Sequence, residues 1–326
     1  MESNKIFNTI TEEKFEPLAL EVFCYQYTNN PIYGEFCRHL GATQKNVQNI
    51  SQIPFLPIEF FKSKKVVSST QNAEIIFSSS GTTSNNTSQH LVTDIKLYEQ
   101  SYLSAFTKFY GAIKDYCILA LLPSYLERKG SSLIYMANDL IEKSKHPASG
   151  FYLDDLNGLR DTLIELDKKQ TKVILIGVSF ALLDMAENHP MKLKHTIVME
   201  TGGMKGKRKE MIREELHQIL KEGFGVPQIH SEYGMTELLS QAYSNGDGIF
   251  RTPPWMKILI RDAEDPLTQH PYGKTGGINV IDLANMNSCS FIATQDLGKI
   301  HKDGSFEILG RFDHSDIRGC NLMVLE

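Results

Sequence analysis

Five segments carry residue types that could do chemistry. SSSGTTSNNTSQH, residues 78–90, crowds hydroxyls around Gly81 directly after a short apolar run. Hydroxyls and backbone N–H groups in a glycine turn after a strand can cradle phosphate oxygens. It is not a Walker loop, since it has one glycine and no Gly-Lys-Ser/Thr, and an ordinary polar surface loop has the same composition. SEYGMTELLSQ, residues 231–241, offers the Tyr233 ring to a nucleobase, the Thr236 hydroxyl to a phosphate and the Glu237 carboxylate to Mg²⁺. Those positions equally describe a helix start, with Thr236 capping and Glu237 in the first turn. ETGGMKGKRKE, residues 200–210, pairs Gly202 with Gly203 and would let backbone approach a flat ring; a plain turn before a basic helix fits as well. In TQDLGKI, residues 294–300, Asp296 could accept from a ribose diol, although a β-turn aspartate is the reading its residue type favours. The fifth segment is the terminal GRFDHSDIRGCNLMVLE.

The elements that must position these residues follow from periodicity. Residues 12–40 have helical spacing, and IPFLPIEFFKSKKVV is broken by Pro54 and Pro57. From residue 74 short apolar runs alternate with amphipathic stretches. Strands are expected at Glu74–Phe77, Tyr116–Leu122, Gly150–Leu153, Lys172–Gly177, Thr196–Glu200 and Pro227–His230. Helices are expected at Asp94–Tyr110 with Asp94 as N-cap, Ser131–Lys145, Asp155–Lys169, Ser179–Asn188 and Lys207–Lys221. Such alternation implies a mostly parallel sheet covered on both faces, with functional loops at the strand C-terminal ends. After Tyr243 the pattern becomes short strands between Gly, Pro and Asp turns (Trp255–Asp262, Gly277–Asp282, Ser290–Thr294, Ser305–Leu309), as in a smaller antiparallel sheet.

Composition bounds the function. The 326 residues are 41% hydrophobic and 22% charged, with 34 Lys+Arg against 39 Asp+Glu. That excludes wholesale disorder, and a net charge of −5 gives no electrostatic case for nucleic acid. No apolar run is long enough for a membrane span, and the N-terminus has no secretory signal pattern. Five irregularly spaced cysteines suggest reduced thiols and a cytoplasmic location.

Hydroxyl loop, Gly-Gly, Tyr-Gly-x-Thr-Glu, Asp-Leu-Gly and Gly-Arg-x-Asp, in that order across about residues 75–320, resemble the core series of adenylate-forming (acyl-activating) enzymes. PSYLERKGSSL at 123–133, ETGGMKG, IHSEYGMTELLSQ and the terminal Arg-Gly-Cys resemble more closely the LuxE-type acyl-protein synthetase branch. The resemblance implies an α/β fold: a large adenylate-forming N-terminal-type domain with mostly parallel sheets and a smaller antiparallel β region. It implies a domain over 1–310 (α/β core about 75–243, β-rich part about 244–310), followed by a hinge remnant and mobile tail over 311–326. ATP and Mg²⁺ are the implied cofactors. Ser79, Ser80, Gly81, Thr82 and Thr83 would hold phosphates, Gly202, Gly203 and Tyr233 would frame adenine, and Thr236 would meet the α-phosphate. Glu237 would ligate Mg²⁺, Asp296 would bind the ribose and Arg311 would contact the nucleotide.

Two departures from the family pattern matter. Ser84, Asn85, Asn86 and Thr87 stand where Gly-x-Pro-Lys is usual, so the loop lysine is missing. The chain stops seven residues after Gly319 with no lysine beyond Lys302, so the typical C-terminal domain and its lysine are expected to be absent. Arg128, Lys205, Arg311 and Arg318 are candidates to replace that charge. By the same resemblance Cys320, near the end and close to Arg311 and Arg318 in sequence, would carry the acyl group as a thioester; read on its own, with LMVLE following, it fits a core thiol beside a docked strand as well. Cys24, Cys37, Cys117 and Cys289 have apolar neighbours and read as core thiols. The implied activity is ATP-dependent activation of a carboxylic acid, most simply a fatty acid, with transfer to the thiol and delivery to a reductase or carrier protein. The alternatives are direct transfer to coenzyme A or a carrier, and a nucleotide- or acyl-binding protein without turnover. A serine hydrolase is disfavoured by the lack of a Gly-x-Ser-x-Gly elbow.

Overall fold

The computed structural model describes residues 4–7, 11–79, 87–123, 130–202 and 211–312. Three of its helices begin where a side chain supplies a cap. Asp94 Oδ1 accepts from the Lys96 amide at 3.0 Å to open the helix Ile95–Tyr110. Ser131 and Asp155 accept from the Ile134 and Gly158 amides to open Ser132–Ser144 and Leu156–Lys168. Each satisfies a donor that the first helical turn leaves without a partner.

The described residues fall into two units. One comprises residues 102–235 and 241–250. Its parallel sheet has the order Gly150–Phe151, Cys117–Leu121, Val173–Val178, Thr196–Thr201, His230–Tyr233. Ala242–Ser244 adds antiparallel to His230–Tyr233. Every residue of Cys117–Leu121 and Val173–Val178 is buried, as expected of continuous apolar runs inside a sheet covered on both faces. The helices Ser179–Asn188 and Arg213–Phe224 pack at Gly223, where an added Cβ would come within 2.5 Å of Ala186 Cβ.

The other unit takes in the described residues of 1–101, 236–240 and 251–312. Met256–Arg261, Thr275–Asp282, Phe291–Ile300 and Phe306–Arg311 pair antiparallel in sequence order, and Leu56–Pro57 joins the third of these in parallel. Ile75–Ser78 and Gln89–Val92 make a separate two-stranded hairpin. Helices Glu12–Asn29 and Pro31–His39 belong here, with Phe23 and Tyr33 packed against Phe291.

The expected α/β series with a smaller antiparallel sheet is therefore present, with three local differences. The strand placed at Pro227–His230 lies at His230–Tyr233, so Tyr233 ends a strand instead of following one. The expected strand Ser290–Thr294 continues to Ile300; the described part of the helix expected over Lys207–Lys221 runs Arg213–Phe224, and residues 207–210 lie outside the described residues. The second hairpin strand, Gln89–Val92, has too short an apolar pattern to stand out locally. Among the described residues no helix is long and apolar enough to cross a membrane.

Candidate active site

The unit that holds the hairpin brings several predicted residues together. Ser79 directly follows the first strand, Ile75–Ser78, and its hydroxyl accepts from the Ser88 amide at 3.0 Å. Ser88 in turn hydrogen-bonds the Glu237 side chain. Glu237 is buried, and burial raises its carboxyl above the usual range, opposed by that hydrogen bond and by the Arg311 and Lys62 charges. Asp296 and Arg311 are cross-strand partners, and Arg311 Nε lies 3.0 Å from Asp296 Oδ1. The guanidinium is mostly exposed whereas Asp296 is buried, so the carboxylate has a fixed place and the arginine reaches outward from it.

The segment after Tyr233 is a pinned turn, which corrects the alternative of a helix start at Thr236. Asp282 Oδ2 accepts from the Leu239 and Ser240 amides at 3.0 and 2.9 Å, and Asp282 Oδ1 accepts from the Ser240 hydroxyl at 2.6 Å. Asn285 donates to the Glu237 carbonyl at 2.7 Å and accepts from the Leu239 amide at 2.9 Å. Those bonds occupy the amides that an α-helix would have satisfied internally or left to a cap. Burial pushes Asp282 up to about 6, with the Ser240 hydroxyl and the Ser240, Leu239 and Ala284 amides pulling the other way.

His90 was not singled out in the sequence, yet it holds Thr236. Its Nδ1 lies 3.0 Å from the Thr236 carbonyl and its Nε2 lies 2.8 Å from Ser288 Oγ. A carbonyl can only accept, so Nδ1 carries the proton and Nε2 accepts from the serine hydroxyl. Burial lowers the imidazole to about 4, and the bond to Thr236 opposes that shift. The folded protein thus keeps His90 neutral while the unfolded chain takes up a proton below about 6.5. Stability from this group is present above that value and is lost as pH falls towards 4. Between pH 7 and 5 the loss is about 2 kcal/mol. Urea unfolding of wild type and His90→Gln at both pH values is expected to show that difference; equal pH dependence would rule it out.

The other unit carries the remaining described residues. Gly202 directly follows Thr196–Thr201 with φ +66°, a conformation available to glycine without a Cβ penalty, and its carbonyl accepts from Ser179 Oγ at 2.6 Å. Tyr233 closes the neighbouring strand and is buried. Between them in the register, Thr201 stands opposite Glu232, and the Thr201 hydroxyl donates to the Glu232 carboxyl. Burial raises Glu232 to about 7, Thr201 opposes the shift and the nearby Glu200 charge adds to it. A Cβ on Gly234 would come within 2.5 Å of Glu232 Oε1, so glycine at that position makes room for the carboxyl.

Ser80, Gly81, Thr82, Thr83, Gly203 and Cys320 lie outside the described residues, as do Arg128, Lys205 and Arg318. Of the charges that sequence left open, Arg311 is within electrostatic reach of Glu237, and Lys62 joins it without having been foreseen. A single Lys in FFKS has no local signal, because only folding carries residue 62 near residue 237.

A family model described as acyl-protein synthetase, LuxE, matches residues 7–326. The chain is 23% identical over 334 aligned residues to the long-chain-fatty-acid–luciferin-component ligase of Vibrio harveyi, covering 94% of this chain and 86% of that one. In fold it is similar to ATP-bound MatB from Rhodopseudomonas palustris, with a TM-score of 0.54, 19% identity, and coverage of 72% of this chain. It spans only 47% of MatB, about half the length of that enzyme. A 2-hydroxyisobutyryl-CoA ligase in complex with 2-HIB-AMP and CoA aligns over 91% of this chain and 74% of its own, with a TM-score of 0.64 and 11% identity. O-succinylbenzoate coenzyme A synthetase from Bacillus subtilis, in complex with ATP and magnesium, gives a TM-score of 0.51 at 17% identity over 72% of this chain and 49% of its own. These likenesses bear out the expected α/β fold with its smaller antiparallel sheet. By the match that runs through almost its whole length, the chain belongs to the LuxE family of acyl-protein synthetases.

Proposed function

We propose that this protein activates a fatty acid with ATP as acyl-AMP and then carries the acyl group on Cys320 as a thioester. The observation that carries the reading is the convergence, within one unit, of Glu237, Ser88, Asp296 and Arg311 at the base of the hydroxyl hairpin. Family membership and the ligase activity of the Vibrio harveyi relative support a long-chain fatty acid as substrate and a protein as acceptor.

In the first step a carboxylate oxygen attacks the α-phosphorus of ATP, the bond to the β-phosphate oxygen breaks, and pyrophosphate leaves. Thr236, whose carbonyl is held by His90, presents its hydroxyl to the α-phosphate, and Arg311 offsets developing negative charge. In the unit that holds the hairpin, Asp296 would orient the ribose, and Ser79 would meet the phosphates along with Ser80, Gly81, Thr82 and Thr83; in the other unit, Gly202 and Tyr233 would be the residues that flank an adenine. In the second step the Cys320 thiolate attacks the acyl carbonyl, the bond to phosphate breaks, and AMP departs. A nucleophile of the acceptor protein then attacks the thioester carbonyl, the carbon–sulfur bond breaks, and the acyl group departs, leaving Cys320 as a free thiolate.

The donor set suits Mg²⁺. Among the described residues no group of three or more His, Cys, Asp and Glu is arranged to hold a metal. One hard carboxylate at Glu237 matches an ion that takes one or two protein carboxylates and fills its other positions with phosphate oxygens and water. The same charge would compensate a carboxylate that burial otherwise disfavours. When bound, Mg²⁺ supplies electrostatic stabilisation of the phosphate oxygens.

Incubation of the protein with Mg-ATP and a panel of carboxylic acids, followed by pyrophosphate assay and intact mass, tests the reading. Pyrophosphate together with a hydroxylamine-sensitive acyl adduct is expected with long-chain acids. Pyrophosphate with no adduct would move the assignment to direct transfer to coenzyme A or a carrier. Bound ATP with neither signal would leave a binding protein without turnover.

A further inference from the structure

Gly202 and Tyr233 sit at the ends of neighbouring strands, Gly202 just after Thr201 and Tyr233 as the last strand residue, and a line of side chains joins them by a longer route. Ser179, the first residue of the helix Ser179–Asn188, gives its single hydroxyl proton to the Gly202 carbonyl at 2.6 Å. The same hydroxyl oxygen is 3.4 Å from Glu200 Oε2. The other carboxyl oxygen of Glu200 is 3.8 Å from Arg213 Nε and 3.6 Å from His217 Nε2. The Arg213 guanidinium lies over the Phe250 ring, 5.1 Å from its centroid. Phe250 meets the Tyr233 ring edge to face, with centroids 6.1 Å apart and planes at 66°.

Almost all of this line is inside the protein: Ser179, Glu200, His217, Tyr233 and Phe250 are buried, and Arg213 is partly covered. Buried ion pairs do little for net stability, because desolvation offsets their attraction. What such a pair does well is fix geometry. Glu200 and Arg213 cannot shift independently: moving the guanidinium uncovers Phe250, and moving the carboxylate disturbs Ser179. The two ends of the line are the groups placed beside a nucleotide ring. The register of the sheet adds a reason for the position. Glu200 pairs with Ser231 and therefore points away from the face that bears the Thr201–Glu232 pair, towards the helices that carry Ser179 and Arg213.

We infer that Glu200 and Arg213 are positioning residues for the nucleotide, setting the Gly202 peptide and the Tyr233 ring relative to each other without touching the ligand. This rests on the reading of Gly202 and Tyr233 as the residues that flank adenine.

The test uses the full chain with Glu200→Gln, Arg213→Met and the double variant, measuring equilibrium binding of Mg-ATP and the KM for ATP and for the acid. Each single variant is expected to weaken ATP binding about tenfold, and the double variant no more than either alone, as for two residues acting through one contact. The KM for the carboxylic acid should stay within twofold. Arg213→Lys, which keeps the charge and loses the planar stack, should fall between wild type and Arg213→Met, and it serves if Glu200→Gln does not fold. An equal rise in both KM values, or additive losses in the double variant, would mean a general structural role and overturn the inference. Tyr233→Ala separates the two layers. If it weakens ATP binding while Glu200→Gln does not, only the positioning role fails. If Tyr233→Ala leaves ATP binding intact, the adenine assignment fails and takes the inference with it.

Discussion

Replacing Glu237 with Gln is expected to lower acyl-AMP formation about 10²–10³-fold while leaving the fold in place. The two halves of that expectation have separate causes. Glu237 is buried, and its carboxyl is raised by that burial, with the Ser88 hydroxyl, its own backbone amide and the Arg311 and Lys62 charges opposing the shift. A neutral amide of the same shape removes the desolvation burden and can still bond Ser88, so thermal stability should be unchanged or slightly higher. Catalysis loses a hard anionic oxygen, the one feature that a magnesium–phosphate complex requires and an amide provides poorly. Pyrophosphate release measured across a magnesium titration checks both points, with a thermal melt on the same sample. Wild-type rates at ordinary magnesium concentration would remove Glu237 from the reaction. A collapse in melting temperature would instead make it a structural residue.

Changing Cys320 to Ser should abolish the acyl adduct entirely while acyl-AMP formation continues. A serine hydroxyl without an adjacent base is a very weak nucleophile at neutral pH, whereas a thiol supplies a fraction of thiolate. The other four cysteines make poor substitutes for a physical reason visible in the fold. Cys37, Cys117 and Cys289 are fully buried, and burial pushes each thiol up, Cys37 to about 12. Cys24, only partly covered, is raised by burial as well. None is favoured as a thiolate where a substrate arrives. Intact mass after incubation with Mg-ATP and a long-chain acid, with pyrophosphate followed in parallel, separates the outcomes. An adduct that persists in the serine variant would place the thioester on another residue. Loss of both signals would tie Cys320 to adenylation itself.

Much of this protein was legible from its residues in order. Alternating apolar runs and amphipathic stretches located the parallel sheet, because a strand buried on both faces has no polar positions and a covering helix has one apolar stripe. Asp94 marked its helix start for the equally local reason that a cap acts on amides two or three residues away. The order of Tyr-Gly-x-Thr-Glu, Asp-Leu-Gly and Gly-Arg-x-Asp pointed to the family, because residue types suited to a base, a phosphate and a ribose fall in one series along the chain.

What sequence could not supply was every relation that depends on distant chain meeting distant chain. Thr236 and Glu237 looked as much like a helix start as a site, and Asp282 and Asn285 decide the matter by taking the amides and carbonyl of the turn. His90 reaches Thr236 across 146 residues, and Ser88 reaches Glu237 over a similar separation. Asp296 read more readily as a turn aspartate until antiparallel pairing set it opposite Arg311 in mid-sheet. Periodicity records which face of an element is buried, and capping records its ends. Neither records which buried polar group will find which partner, because that choice is made only when hydrogen-bonding groups lose water together and must satisfy one another in the folded interior.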